Sequence, residues 1–300
     1  MFSYQHVFHA GNHADVLKHV VLAEVLDYVC KKEGTIFYID THAGSGLYRL
    51  RSAAAQKNRE YESGIARLFG QKKLTGELET YISLIRELNP DGVLRLYPGS
   101  PYIASKLLRE QDRIRLFELH PAEIRSLAGN FKKMDARAEG DVKNRKTRGK
   151  RVIIEKKDGF TALKAQLPPP SRRAVIFIDP PYENRQDYRF VREALLDALK
   201  RFSSGTYIVW YPIIERPEAR RFLEQLKSLS KNEWLNVSLA VREPAAGRPG
   251  LLGSALFIIN PPWVLDAYLK KLMPELVTLL GQSSLAGFSI SRSQPSRIQA

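Results

Sequence analysis

The sequence predicts an α/β fold built on a seven-stranded, mostly parallel sheet with an antiparallel last strand. Short apolar runs recur along the chain and alternate with helical patterns, which is typical of a parallel sheet covered by helices on both faces. The last two runs are separated by Pro244, Gly247 and Gly250 without an obvious helical pattern, so they predict an antiparallel pair. The predicted strands are residues 35–39, 114–119, 152–155, 174–178, 207–211, 235–241 and 254–259.

The first predicted element is a helix from about His13 to Lys32. Asn12 is a preferred N-cap residue, and Asp15 supplies the acidic side chain that is favourable in a first turn. Valine and leucine then recur at helical spacing, and Gly34 can end the helix before the first apolar run begins.

Two segments interrupt the alternation of strands and helices. Residues 51–97 are polar with apolar side chains at helical spacing, which predicts a small helical insertion. Residues 132–151 carry nine Lys and Arg against three Asp and Glu, so we expect a basic mobile loop that either grips phosphates or is merely solvated. Residues 282–300 are predicted to be a polar tail. The remainder, residues 1–50 and 98–281, is predicted to form the main domain.

The charge of the chain is the first indication of its function. The 300 residues include 47 Lys and Arg against 32 Asp and Glu, a formal net charge of +15 that favours a nucleic acid partner. The sequence contains neither a secretory signal nor an apolar run long enough to span a membrane. Its single cysteine, Cys30, fits a reducing compartment, so we expect a cytoplasmic protein without a membrane partner.

The strongest chemical signal is the motif Asp-Pro-Pro-Tyr at residues 179–182, directly after the apolar run 174–178. The amino nitrogen of adenine is a poor nucleophile because its lone pair is delocalised into the ring. The Asp179 carboxylate and the Pro180 carbonyl can accept both N–H donors, while the Tyr182 ring offers a face for the base. The motif therefore predicts methyl transfer from S-adenosylmethionine to an exocyclic amino group, with these three residues as catalytic residues.

A second match to this pattern, Asn-Pro-Pro-Trp at residues 260–263, follows another apolar run. If residues 254–259 form the antiparallel last strand, the carboxyl end of that strand lies at the opposite edge of the sheet from the cofactor crevice. We therefore interpret residues 260–263 as a strand-to-helix turn.

Acidic residues at the ends of the first three strands predict where the methyl donor binds. Asp40 opens a turn of small residues that lets a nucleoside approach the backbone, although His42 stands where a glycine is expected. Glu118 is placed to accept the ribose hydroxyl groups, and Asp158 to accept from the adenine amine. The cofactor contacts predicted at these strand ends are Asp40, His42, Gly44, Glu118, Asp158 and Gly159.

Five of the six histidines lie within the first 42 residues, which raises the question of a metal site. His9 precedes the expected N-cap and has no cysteine partners, so we expect no metal. We interpret the segment instead as a cover for the cofactor, with Lys18 and His19 at its carboxylate or sulfonium end. Ser100 is expected to cap the next helix, either near the cofactor or as an ordinary cap.

Six sequence blocks together resemble the RlmJ family of bacterial 23S ribosomal RNA adenine-N6 methyltransferases, formerly described as proteins for the use of external DNA. The blocks are residues 8–19, 40–44, 97–101, 118–121, 158–160 and 179–182. The resemblance covers roughly residues 1–280 and implies a Rossmann-like class I methyltransferase fold with a helical insertion. It implies cofactor contacts from His19, His42, Ser100, Glu118, Asp158 and Gly159. It also implies that Asp179 accepts a proton and that Tyr4 lies close to the incoming base.

Two alternative functions stay open at this point. A DNA adenine-N6 methyltransferase would share the motif at residues 179–182, although sequence-specific DNA enzymes usually carry a larger recognition domain. A non-catalytic DNA-utilisation protein would not need the Asp179 motif and its acidic neighbours. We expect a monomer whose partner is 23S ribosomal RNA and whose target adenine is unpaired or flipped out.

Overall fold

The computed structural model describes residues 5–138, 151–229, 231–244 and 250–293. Its strands are β1 (Phe37–Asp40), β2 (Leu47–Arg49), β3 (Leu96–Pro98), β4 (Arg113–Phe117), β5 (Val152–Glu155), β6 (Ala174–Ile178), β7 (Thr206–Ile213), β8 (Trp234–Ala240), β9 (Gly253–Ile259) and β10 (Gly287–Arg292). Eight of them form one sheet in the order β10-β8-β9-β7-β6-β1-β4-β5, and β2 pairs with β3 in a separate ladder.

The central part of the large sheet is parallel, as predicted. Strand β1 pairs in parallel with β4 and β6, β4 with β5, and β6 with β7. Strand β9 runs antiparallel between β7 and β8. The turn at residues 260–263 therefore lies at the amino-terminal end of β7, and Thr206 Oγ1 donates to the Asn260 carbonyl oxygen at 3.0 Å. This placement confirms that the second motif is remote from the carboxyl ends of the parallel strands.

The prediction of seven strands and of a polar tail from residue 282 is wrong at β10. Residues 287–292 pair antiparallel with β8, and the Ser289 and Ser238 hydroxyl groups lie 2.7 Å apart. An edge strand has one neighbouring strand, and one of its faces can be solvated, so it needs few apolar side chains. A serine- and arginine-rich segment can form such a strand without showing an apolar run.

The helices are α1 (His13–Cys30), α2 (Ala53–Asn58), α3 (Ile65–Phe69), α4 (Gly76–Leu88), α5 (Ser100–Leu107), α6 (Pro121–Ala138), α7 (Gly159–Gln166), α8 (Gln186–Arg201), α9 (Pro217–Leu229) and α10 (Leu265–Leu280). Within the described ranges, no helix combines the length and apolar composition that crossing a bilayer requires.

Helix α1 lies at the centre of the molecule. The Asn12 side chain accepts from the Asp15 N–H at 3.0 Å, which confirms the expected N-cap. Apolar side chains on all sides of α1 are buried, because it contacts β9 together with α4, α5 and α10. Such a helix is held firmly, so the polar side chains near its amino terminus have defined positions.

The two predicted interruptions are both partly helical. Helices α2, α3 and α4 lie between β2 and β3 in the chain. Buried residues of α3 and α4 belong to the same hydrophobic core as α1. The division into an insertion and a main domain therefore stays a prediction. Helix α6 continues to Ala138, so the loop expected from residue 132 is helical in its first part. The rest of that segment, residues 139–150, lies outside the described residues.

Candidate active site at the carboxyl ends of the parallel strands

A cavity of about 890 Å³ lies at the carboxyl ends of β1, β4 and β6. Its size falls within the range of small-molecule sites, roughly 300–1,000 Å³. Predicted site residues that line it are Lys18, His19, His42, Gly44, Ser100, Glu118, Asp158, Gly159, Asp179, Pro180 and Tyr182. Asp40 is not part of the lining, and Tyr4 lies outside the described residues. The structure thus brings together residues from six separate segments of the chain.

Asp179 directly follows β6, whose five residues are all buried. The Asp179 side chain is 13% exposed, and its Oδ2 atom accepts a hydrogen bond from Lys18 Nζ at 2.6 Å. Burial raises the pKa of Asp179, whereas the Lys18 ammonium opposes this effect. The carboxyl group is therefore buried but remains paired with a cation.

The Lys18 ammonium bridges two carboxylates. It lies 2.9 Å from Asp15 Oδ1 as well as 2.6 Å from Asp179 Oδ2. Burial lowers the pKa of Lys18, but the two carboxylates more than offset this and raise it overall. Asp15 also accepts from the Gly11 N–H and from His6 Nε2, both at 2.9 Å. Lys18 therefore directly contacts the predicted catalytic carboxylate, whereas the sequence indicated only a contact with the cofactor.

Trp210 is a residue of this site that the sequence did not reveal. In the parallel pairing of β6 and β7, Ile178 lies opposite Val209, so Asp179 and Trp210 follow at neighbouring positions. Lys18 Nζ lies 5.4 Å from the centroid of the Trp210 ring, a distance suited to a cation–π contact. Only the register of the two strands places Trp210 beside Asp179.

The Tyr182 ring is more deeply buried than its predicted role requires. Its side chain is 2% exposed, and its hydroxyl donates to the Trp210 carbonyl oxygen at 2.8 Å. The ring packs against Tyr188 and Phe222, and the backbone adopts a φ of 51°. Tyr182 thus stabilises the wall of the cavity, and stacking of a base on its ring stays a prediction.

Glu118 follows β4 and presents its carboxylate to the cavity. Its two oxygens accept from the backbone N–H groups of Gly44 at 2.8 Å and of His120 at 2.7 Å. Burial raises the pKa of Glu118. Each carboxylate oxygen can accept a further hydrogen bond, so Glu118 could bind the two hydroxyl groups of a ribose.

The turn after β5 contributes a cap and an aromatic face. Asp158 is the N-cap of α7, and its Oδ1 atom accepts from the Thr161 N–H at 2.7 Å, which leaves the other oxygen for a ligand. A side chain at Gly159 would collide with the carbonyl oxygen of Thr41. The Phe160 ring lies 4.9 Å from the His42 ring, and burial lowers the pKa of His42 to about 4. The structure thus offers an apolar pocket with a neutral imidazole.

The structure does not place Asp40 in the lining of the cavity, so its contact with the cofactor stays a prediction. Asp40 is completely buried, and its Oδ2 atom accepts from the Tyr38 and Ser100 hydroxyl groups, both at 2.8 Å. Burial raises the pKa of Asp40 to about 7. The pleat of β1 turns the side chain of Asp40 into the protein rather than into the cavity.

Ser100 is not the expected N-cap of α5, because Gly99 is the N-cap and Ser100 is the first residue of the helix.

Further polar residues line another part of the same cavity and were missed by the sequence reasoning. Glu60 accepts from Asn12 Nδ2 at 2.9 Å and lies 2.8 Å from His9 Nδ1. Arg216 and Arg242 supply positive charge to the lining. Among the described residues, no three His, Cys, Asp or Glu side chains are grouped so that they could hold a metal ion.

Comparisons with known proteins find relatives that match most of this chain. The family model described as "Ribosomal RNA large subunit methyltransferase D, RlmJ" matches residues 33–291. The chain is 44% identical to Ribosomal RNA large subunit methyltransferase J of Escherichia coli over 92% of this chain and 93% of that protein. It is 43% identical to the protein of the same name from Haemophilus influenzae, over 93% and 94% of the two chains. The crystal structure of protein LPL1258 from Legionella pneumophila superposes with a TM-score of 0.81 at 34% identity, over 96% of this chain and 99% of that one.

Proposed function

Because the chain belongs to the RlmJ family of ribosomal RNA large subunit methyltransferases, we propose that it methylates the N6 amino group of an adenine in 23S ribosomal RNA. The chain is an S-adenosylmethionine-dependent ribosomal RNA methyltransferase. One observation supports the choice of adenine N6: Asp179 and Pro180 line the cavity directly after β6, where the Asp179 carboxylate pairs with Lys18.

The cavity has the chemical groups that S-adenosylmethionine requires. Glu118 can accept the ribose hydroxyl groups, and Phe160 with His42 can enclose the adenine ring. Asp15 and Asp179 carry two negative charges against one positive charge on Lys18. This excess of negative charge favours a positively charged sulfonium. When bound, S-adenosylmethionine supplies an electrophilic methyl group next to Asp179.

Asp179 orients the amine of the target adenine. Its ionised carboxylate and the Pro180 carbonyl oxygen accept the two N–H groups, which turns the nitrogen lone pair toward the methyl carbon. With S-adenosylmethionine bound, transfer would form the N–C bond and break the C–S bond, and the electron pair of the C–S bond would stay on sulfur. The surplus proton on nitrogen passes to Asp179 or to solvent. Lys18 assists because it keeps the Asp179 carboxyl group ionised.

We propose that RNA is recognised by the positively charged residues of the cavity, and that the part of the cavity not filled by the methyl donor accepts the adenine. The adenine must leave its base pair to reach Asp179, because its amino group is otherwise engaged in pairing. Arg216 and Arg242 lie where phosphates of the flipped nucleotide could bind. We propose that the chain acts as a monomer in the cytoplasm, without a metal ion, and that Tyr4 lies beside the incoming base.

The test is methyl incorporation from radiolabelled S-adenosylmethionine, followed by nucleoside analysis. Protein-free 23S RNA, assembled subunits and duplex DNA serve as parallel substrates. We expect N6-methyladenosine in RNA with the wild type and less than about a tenth of that amount with Asp179→Ala, which removes the acceptor. Trp263→Ala is the control, because Trp263 belongs to the second motif at the opposite edge of the sheet, where it occupies the position of Tyr182, and it is 82% exposed. Label in duplex DNA but not in RNA would instead identify a DNA enzyme.

A further inference from the structure

Three buried side chains form a hydrogen-bonded row behind the cavity. The Tyr97 hydroxyl lies 2.7 Å from His19 Nδ1 and 2.9 Å from the Tyr81 hydroxyl. The exposed fractions are 2% for His19, 0% for Tyr97 and 1% for Tyr81. Tyr81 belongs to α4 and Tyr97 to β3, whereas His19 on α1 lines the cavity. The row therefore connects the helical segment with the wall of the cavity.

Only one direction of donation uses every hydroxyl proton in this row. If Tyr81 donates to Tyr97 and Tyr97 donates to His19 Nδ1, both protons are bonded. In the reverse direction, the Tyr81 proton has no acceptor among the described residues. A buried hydroxyl proton without an acceptor is unfavourable, because it has lost its bond to water and gained none. Burial also raises the pKa of both tyrosines well above 10, so both protons are present.

We propose that Tyr97, supported by Tyr81, is a positioning residue that holds His19 as the Nε2–H tautomer. The uncharged imidazole then donates a hydrogen bond from Nε2 to the carboxylate of S-adenosylmethionine. Nδ1 cannot carry a proton while it accepts from Tyr97, so the single proton of the neutral ring is on Nε2. In the described part of the chain, Nε2 has no protein partner. The inference rests on the proposed function, because it concerns the binding of the methyl donor.

The order of the strands places His19 at the amino-acid end of the donor. Glu118 and Asp158, the proposed contacts of the nucleoside, follow β4 and β5 on one side of β1. Asp179 follows β6 on the other side, and it contacts Lys18, the neighbour of His19. The sulfonium must lie near Asp179, so the amino-acid part of the donor extends away from the nucleoside toward α1.

A neutral donor suits this position better than a cation. Burial lowers the pKa of His19 to about 3, so the imidazole carries no charge near pH 7. The titratable groups that face it are Asp15 and Lys18 on α1 and His6 from the preceding segment. A neutral N–H group binds a carboxylate without repelling the adjacent sulfonium.

The tautomer can be observed directly in the ligand-free protein by NMR of protein labelled with ¹⁵N-histidine. We expect His19 to be protonated on Nε2 in the wild type. Tyr81→Phe should keep this tautomer, because Tyr97 still donates to Nδ1. Tyr97→Phe should give a mixture of both tautomers. Protonation of Nδ1 in the wild type would overturn the proposal.

The role in binding is tested by calorimetry with two ligands. S-adenosylhomocysteine carries the carboxylate, whereas methylthioadenosine lacks the whole amino-acid part. We expect Tyr97→Phe to bind S-adenosylhomocysteine at least about twofold more weakly, because only the fraction of His19 with the proton on Nε2 can donate to the carboxylate, and methylthioadenosine with unchanged affinity. Unchanged affinity for S-adenosylhomocysteine, or an equal loss for both ligands, would overturn the proposal.

A double variant and the binding of both ligands by the wild type separate the role of Tyr97 from a folding defect and from a failure of the proposed function. The double variant Tyr81→Phe/Tyr97→Phe contains no orphaned hydroxyl, so it provides the same comparison if Tyr97→Phe alone fails to fold. A wild-type protein that binds neither ligand would contradict the proposed function itself. A wild-type protein that binds S-adenosylhomocysteine with His19 protonated on Nδ1 would contradict only the positioning role of Tyr97.

Discussion

Replacement of Lys18 by methionine tests how the catalytic carboxylate is kept ionised. Lys18 Nζ lies 2.6 Å from Asp179 and is almost completely buried, so solvent screens this pair weakly. An opposite charge at such a distance lowers a carboxyl pKa by about 1–3 units, or roughly 1.4 kcal/mol for each unit. Burial already raises the pKa of Asp179, so loss of the ammonium would raise it further.

The sign of the effect on the rate follows from the mechanism. Asp179 accepts the amine N–H only when it is ionised, so the rate increases as pH rises through the pKa of Asp179. In Lys18→Met the acid limb of the rate profile should move about 1–3 units toward higher pH. On that limb the rate should therefore fall at least about tenfold and should recover at higher pH.

Single-turnover methyl transfer, measured with saturating donor between about pH 5 and pH 9, would show this shift. Lys31→Met is the matched control, because Lys31 lies just after the same helix, is 63% exposed and pairs with the exposed Asp27. Thermal unfolding of each variant would show that the protein is folded. If the acid limb of Lys18→Met coincides with that of the wild type, Lys18 does not control the ionisation of Asp179.

Three further predictions concern other residues of the site. Asp179→Ala should reduce turnover below about a tenth of the wild-type rate while calorimetry shows nearly intact donor binding; a larger residual rate would contradict its role. Asp40→Asn should keep an affinity for the donor within about threefold of the wild type, because Asp40 is buried away from the cavity and asparagine keeps an acceptor. Glu118→Ala should lower this affinity at least about tenfold. Equal losses in the two variants would show that Asp40 also contacts the donor. Gly159→Ala should lower the melting temperature by about 2–10 °C, because its methyl group would overlap the Thr41 carbonyl oxygen; an unchanged melting temperature would refute this packing.

The parallel sheet could be predicted from the sequence because its strands are buried on both faces. A strand such as β6 then consists of apolar residues alone, and the polar residue that follows marks its carboxyl end. The positions of Asp179 and Glu118 at the cavity follow from this pattern. Strand β10 escaped prediction because an edge strand needs no apolar run.

The direction in which a side chain points could not be predicted at the strand ends. Asp40 and Glu118 both come at or just after the end of a strand, yet Asp40 bonds to Tyr38 and Ser100 inside the protein while Glu118 faces the cavity. A single step in the pleat reverses the direction of a side chain. The residue type alone does not show on which side of the strand the side chain lies.

The α/β class, the buried parallel strands and the chemical groups at their ends could be predicted from the amino-acid sequence, because these features depend on local apolar patterns and residue types. Which of those groups meet depends on the folded chain as a whole. Lys18 contacts Asp179 across 161 positions of sequence, and His19 meets Tyr97 across 78. Such contacts arise from the packing of α1 against the sheet and the helical segment, and no local pattern encodes the distance between two residues so far apart along the chain.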